Sequence, residues 1–265
     1  LSDHTFDFDF NPRSLADRSI LVAGGAGGLG AATSVLLASC GARLTIGYRS
    51  NRDRAQALKL ALEARYAAST RLVEGDISDA ATRTAYIEAA DSAGEGLYGM
   101  VCFAGDPARV KFEEATEADL IASMRKNYIA PILLARDAAL RMSERKQEGA
   151  IVLLSTMQAV AAFEGSINYA APKRALIQAA RVMAKQWGCQ IRVNIIAPGV
   201  NRAGMALQSI QSGKYDHFVE QKIIPRFGKP EDVARVARLL LEPDNYITGQ
   251  VITVDGGLTL RRDRG

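Results

Sequence analysis

Short apolar runs alternate along this chain with longer segments in which apolar residues recur every three or four positions. The runs at Ser19–Ala23 (SILVA), 43–47 (RLTIG), 71–74, 100–104, 151–155 (IVLLS), 191–197 and 250–254 have the length of strands. They lack a polar alternate face, which is the pattern of strands covered on both sides. The periodic segments between them predict helices. These follow a glycine-rich turn through about Ser39, then lie near Arg52–Tyr66, near 80–93, over much of 117–145, from a segment carrying Tyr169 and Lys173 towards Trp187, and over 231–241. A long irregular region, 198–228, precedes the last helix. Such alternation predicts an α/β fold, a doubly wound parallel sheet of seven strands with helices on both faces. Ligands of such sheets bind at the carboxyl ends of the strands. The segment 24–30, Ala104-Gly105, Ser155-Thr156 and Pro198-Gly199 all follow strands, so they are expected to meet at one edge.

Composition narrows the class. The 265 residues are 48% hydrophobic and 23% charged, as in ordinary globular proteins. With no linker-like stretch and no repeat, one domain over 15–260 is expected, preceded by an acidic, aromatic N-terminal extension, 1–14, that does not resemble a secretory signal. The longest apolar runs fall far short of a membrane span. Cys40, Cys102 and Cys189 are isolated and odd in number, which fits a reducing, cytoplasmic setting. With only His4 and His217 to offer imidazole, no metal site is expected, and no G-x-S-x-G elbow points to a serine hydrolase. The net charge of +4 is mild and its basic residues are scattered, so a nucleic-acid partner is not expected. A mild preference for anionic ligands is.

The chemistry gathers at three places. Ala23-Gly24-Gly25-Ala26-Gly27-Gly28-Leu29-Gly30 joins the first strand to the first helix, where glycines let backbone approach a pyrophosphate and the helix N-terminus favours its charge. Two registers overlap, Gly25/Gly27/Gly30 and Gly24/Gly28/Gly30. After the second strand comes Gly47-Tyr48-Arg49-Ser50-Asn51-Arg52, with no acid to hold ribose hydroxyls. Arg49, with Ser50 and Arg52 in support, is a candidate clamp for a 2′-phosphate, which favours NADP(H) over NAD(H); the alternative is a solvated basic loop. Asp76-Ile77 would face the adenine, unless Asp76 caps the next helix, for which Ser78 or Asp79 is better placed. Tyr169-Ala-Ala-Pro-Lys173 sets a phenol and an ammonium one helical turn apart, a spacing that also arises as an ordinary exposed pair. Pro172 between them predicts a helix starting near 167–169, since proline is tolerated in a first turn.

In order along the chain, the glycine turn, Asn127, Ser155-Thr156, Tyr169-x-x-x-Lys173, Pro198-Gly199-Val200 and the run ITGQVITVDGG ending at Gly257 resemble the short-chain dehydrogenase/reductase family. The run IPRFGKPEDVA ending at Ala234 is similar to its ketoreductase and sugar-alcohol branches. The resemblance implies a single-domain Rossmann fold and hydride transfer between a nicotinamide and a carbonyl or alcohol. It implies Tyr169 as general acid or base, Lys173 lowering its pKa and binding the nicotinamide ribose, Asn127 holding a water, and Thr156 in place of the usual serine. Without the resemblance, Asn127 reads as a polar helix residue bonding to backbone. Gly24, Gly28, Leu29, Gly30, Ala104, Gly105, Pro198, Gly199 and Val200 would touch the cofactor. Three departures stand out: Thr156 for Ser, Cys102-Phe103 for an Asn pair before Ala104-Gly105, and Ala23 and Ala203 where Thr is usual. A shift putting Ser155 in the hydroxyl role stays open, though strand side chains alternate faces. The resulting expectation is an NADPH-dependent reductase of a ketone or 3-oxoacyl substrate, under a loop carrying Met205, Leu207, Ile210, Tyr215 and Phe218. The alternatives are an alcohol or sugar dehydrogenase, or a cofactor-binding member without catalysis. Lys146 and Lys185 raise an acyl-carrier-protein thioester as a further candidate partner, and the apolar Ile132, Leu133, Ile177, Val182 and Met183 permit a homo-oligomer.

Overall fold

The computed structural model describes residues 11 and 13–260. Most of the expected N-terminal extension, with His4, lies outside the described residues. Strands β1 (Ser19–Ala23), β2 (Arg43–Tyr48), β3 (Thr70–Glu74), β4 (Leu97–Cys102), β5 (Gly149–Leu154), β6 (Ile191–Pro198) and β7 (Val251–Val254) form one sheet in the order β3-β2-β1-β4-β5-β6-β7, every pair parallel. Around it run α1 (Gly28–Ser39), α2 (Arg52–Tyr66), α3 (Ala80–Asp91), α4 (Glu117–Met124), α5 (Ala130–Glu144), α6 (Ile167–Trp187), α7 (Leu207–Gln211), α8 (Asp216–Glu220) and α9 (Pro230–Leu241). Strand order reverses at β1 and β4, and a crevice opens there at the carboxyl ends.

Strands β1, β4 and β5 are buried at every position because apolar helices cover both faces. On one face Leu134, Ala138, Leu176 and Ala180 of α5 and α6 pack on Met100, Ile151 and Val193. On the other, Leu37 of α1 and Val233, Ala237 and Leu240 of α9 pack on Val22, Val101 and Val152. Short polar residues start several helices. Asn51 accepts from the Arg54 amide at 3.1 Å, Asp79 from that of Thr82 at 2.9 Å, and Thr116 and Asp119 form a reciprocal box.

Several expectations are corrected. Strand β4 begins at Leu97 rather than 100, because Gly99 interrupts the apolar run; a Cβ there would lie 3.1 Å from Leu241 of α9. The helix expected over 117–145 is two helices joined by a π-helical turn, Arg125–Ile129. A π turn slips the apolar pattern by a single residue, a break too small to separate from the scatter of one sequence. The region 198–228 holds α7 and α8, each too short to show a period. Ile177 and Met183 belong to the core, while Val182 is exposed. Among the described residues no helix is long and apolar enough to cross a membrane, and no three His, Cys, Asp or Glu side chains gather as metal ligands.

Candidate active site

A cavity of about 900 Å³ opens along the carboxyl ends of the strands. Gly24, Gly28, Leu29, Gly30, Arg49, Ser50, Asp76, Ile77, Ala104, Gly105, Thr156, Tyr169, Pro198, Gly199 and Val200 all line it. Gly25 does not, so the register Gly24/Gly28/Gly30 is the one facing the cavity. Gly24 adopts φ 76°, and a Cβ there would stand 3.1 Å from the Ala104 amide nitrogen. A Cβ on Gly28 would strike Gly204 and Ala203 at 2.6 and 2.8 Å. Helix α1 starts at Gly28 with no side-chain cap, so its first amides point to the cavity end without an internal acceptor. At the far end Arg49 meets Asp76 at 3.6 Å. Asp76 also accepts from the Ser78 amide at 2.8 Å, and Asp79, not Asp76, caps α3. Burial opposes ionisation of Asp76, but the Ser78 bonds and Arg49 outweigh it and hold the carboxyl below its usual range. Arg54 joins Arg49 on the lining, in the place expected of Arg52.

Tyr169 faces the cavity from the first turn of α6, and Thr156 from just beyond β5. Lys173 and Asn127 are buried behind that wall. A Cβ on Gly105 would lie 3.0 Å from Asn127 Oδ1 and 3.4 Å from Lys173 Nζ, so glycine lets the three meet. Lys173 Nζ donates to the Leu154 carbonyl at 2.9 Å and lies 5.8 Å from the Tyr169 ring centroid. Burial pulls the Lys173 ammonium down to about 8. Burial, with Asp106 adding to it, pushes the Tyr169 phenol up to about 12, opposite to the lowering expected from Lys173. Ser155 also lines the cavity, but its hydroxyl donates to the Lys173 carbonyl at 3.0 Å, which engages it with α6. The Thr156 oxygen accepts from the Gln158 amide at 3.3 Å. Cys102 is a buried neighbour of Lys173, its thiol pushed up to about 11 by burial.

Pro172 is the sixth residue of α6, beyond the first turn, and needs its own compensation. It has no amide to offer the carbonyl four residues back, that of Asn168. Ser123 of α4 donates to that carbonyl at 2.5 Å. The same Ser123 oxygen accepts from Asn127 Nδ2 at 3.2 Å, while Asn127 Oδ1 accepts from the Asp106 amide at 2.9 Å. A proline in one helix thus helps to orient an asparagine in another.

A family model described as enoyl-(acyl carrier protein) reductase matches residues 24–259. The chain belongs to the short-chain dehydrogenase/reductase family. Among its relatives is a 3-oxoacyl-[acyl-carrier-protein] reductase of Aggregatibacter actinomycetemcomitans, 28% identical over 91% of this chain and 98% of the relative. Levodione reductase of Leifsonia aquatica is 27% identical over 91% and 94%. A short-chain dehydrogenase from Burkholderia cenocepacia, solved in complex with NADP, superposes with a TM-score of 0.80 at 28% identity, over 92% of this chain and 98% of that one.

As a member of this family the chain is an NAD(P)-dependent oxidoreductase. Its cavity fits the family's nicotinamide cofactor, since the glycines leave open the space that Cβ atoms would fill and the N-terminus of α1 faces it. Sequence reasoning expected the loop with Tyr215 over the substrate, and Tyr215 does line the cavity, but the cations gathered at that end were missed. Arg109, Lys111, Lys126 and Lys214 line that end, and Lys126 pairs with Asp106 at 3.0 Å. The signals were the place of Arg109 and Lys111 after β4, of Lys126 beside Asn127, and of Lys214 in the irregular region 198–228. Lys146 and Lys185 lie elsewhere, at the C-terminal ends of α5 and α6. Both helices run back along the parallel strands, so those ends sit at the amino edge of the sheet, where Gln147 bonds the Glu95 carbonyl ahead of β4.

Proposed function

We propose that this chain reduces a carbonyl to an alcohol with NADPH, Tyr169 acting as general acid and Thr156 holding the substrate oxygen. The observation that carries the reading is the shared wall of the cavity: Tyr169 and Thr156 face it together, with Lys173 buried one turn behind. When bound, the cofactor supplies the hydride. Thr156 accepts one hydrogen bond, which leaves its proton for the substrate oxygen. Tyr169 keeps its proton at neutral pH, the form a general acid needs. As that proton moves, the Lys173 ammonium favours the phenolate left behind. Asn127, fixed by Ser123 and the Asp106 amide, would hold a water on the route from Lys173 to solvent.

NADP(H) is favoured over NAD(H) because Arg49 and Arg54 line the cavity beyond β2, and Arg49 already holds Asp76, the nearby carboxylate. The reductive direction is supported by relatives whose names denote reductases. We place the protein in the cytoplasm as a homo-oligomer acting on a small-molecule carbonyl. The acyl-carrier thioester loses the support of Lys146 and Lys185. Absorbance of NADPH followed against a panel of ketones, quinones and 3-oxoacyl thioesters tests the reading. Fluorescence showing NADPH binding without turnover of any compound would reject it in favour of a non-catalytic cofactor binder.

A further inference from the structure

We propose that the substrate end of the cavity is built for a carbonyl compound carrying an anionic group, a carboxylate or a phosphate, held by Lys111 and Lys214. This rests on the carbonyl-reductase reading and adds a substrate class to it. The two lysines come from separate parts of the chain, yet both line the one cavity. At this end the acid on the lining is Glu164; Asp76 lies at the nucleotide end. Lys126 also lines the cavity, but its charge is met by Asp106. Among the described residues neither Lys111 nor Lys214 has a carboxylate partner. A cavity lined by excess charge of one sign concentrates ligands of the other.

The loop bearing Arg109 and Lys111 is anchored rather than a free surface segment. Ala108 adopts a left-handed φ of 46°, a conformation costly for a residue with a Cβ. Its amide donates to Asp106 Oδ1 at 2.9 Å, which fastens the reversal. Asn168, next to Tyr169, then donates to the Val110 carbonyl at 2.8 Å. Arg109 and Lys111 therefore flank a residue pinned to the helix that carries the proposed acid. Gln208, a neutral amide across the mouth, accepts from Arg109 at 2.8 Å. The joined loops bring Lys214 to the same rim.

The test uses matched pairs that differ in charge: oxo acids from pyruvate to 7-oxooctanoate with their methyl esters, and dihydroxyacetone phosphate with dihydroxyacetone. The expected result is a KM at least about tenfold lower for the charged member of one pair, with the advantage shrinking as salt rises. The pair in which it appears separates carboxylate from phosphate. Reversal of charge in Lys111→Glu or Lys214→Glu should cut that KM ratio by about fivefold in each. Neutral members turned over as well as charged ones would overturn the inference and leave the reductase reading standing. If nothing is turned over, the reductase reading fails. Quenching of bound NADPH fluorescence by the same pairs then decides the inference, and equal binding or no binding of either member overturns it.

Discussion

At the scale of single residues, the site depends on groups whose protonation is set by burial. Replacement of Tyr169 by Phe removes the proposed proton donor but not the cavity wall. NADPH binding, read by fluorescence, should persist while kcat falls by about a hundredfold or more. Lys173, pulled down to about 8, bears on pH. Below that value the ammonium is present and helps the phenol release its proton; above it the help is lost. Reductive kcat/KM should therefore be level from pH 6 to 7.5 and decline as pH rises through about 8, and a profile level to pH 10 would contradict the role given to Lys173. Arg49→Asp should raise the KM for NADPH by about tenfold and narrow its advantage over NADH, measured with both cofactors on one ketone. Tyr169, Lys173 and Thr156 could be singled out in the sequence because the motifs that carry the family resemblance keep their order and spacing. The direction of the Tyr169 shift could not be read, since it comes from burial and from Asp106, which the fold brings in from another loop.

Among elements, the strands were legible because a doubly covered sheet writes unbroken apolar runs. The join between α4 and α5 was not, because a π turn slips the apolar pattern by only one residue. Nor was the partnership of Ser123 with Pro172, which needs two helices to meet. It can be measured as a coupling. Ser123→Ala should leave the Asn168 carbonyl buried without a donor and cost about 1–3 kcal/mol of stability in denaturant unfolding. Pro172→Ala returns an amide to that carbonyl. In the double variant the loss from Ser123→Ala should shrink by about 1 kcal/mol, whereas strictly additive losses would show that the serine does not serve the proline. Ser123→Ala should also lower kcat, because Asn127 loses the acceptor of its Nδ2, and that loss should remain in the double variant.

Over the whole molecule, the fold gathers loops from distant parts of the sequence at one sheet edge, and this much followed from the alternation of strands and helices. The cations lining the substrate end did not, because neither the loop 105–111 nor the turn after α7 carries a period to read. The three cysteines record depth in the same fold: Cys189 is exposed, Cys40 half-buried, and Cys102 lies in the central strand β4 with its thiol raised to about 11. They amount to a depth gauge for opening of the sheet. A thiol reagent should label Cys189 first and Cys102 only when β4 separates from its neighbours. NADPH should slow labelling of Cys102 by a factor of about 1 plus the ratio of NADPH concentration to its Kd, and leave Cys189 untouched. Labelling kinetics on the unaltered protein would then report how tightly a cofactor bound at the rim holds together a core that it never touches.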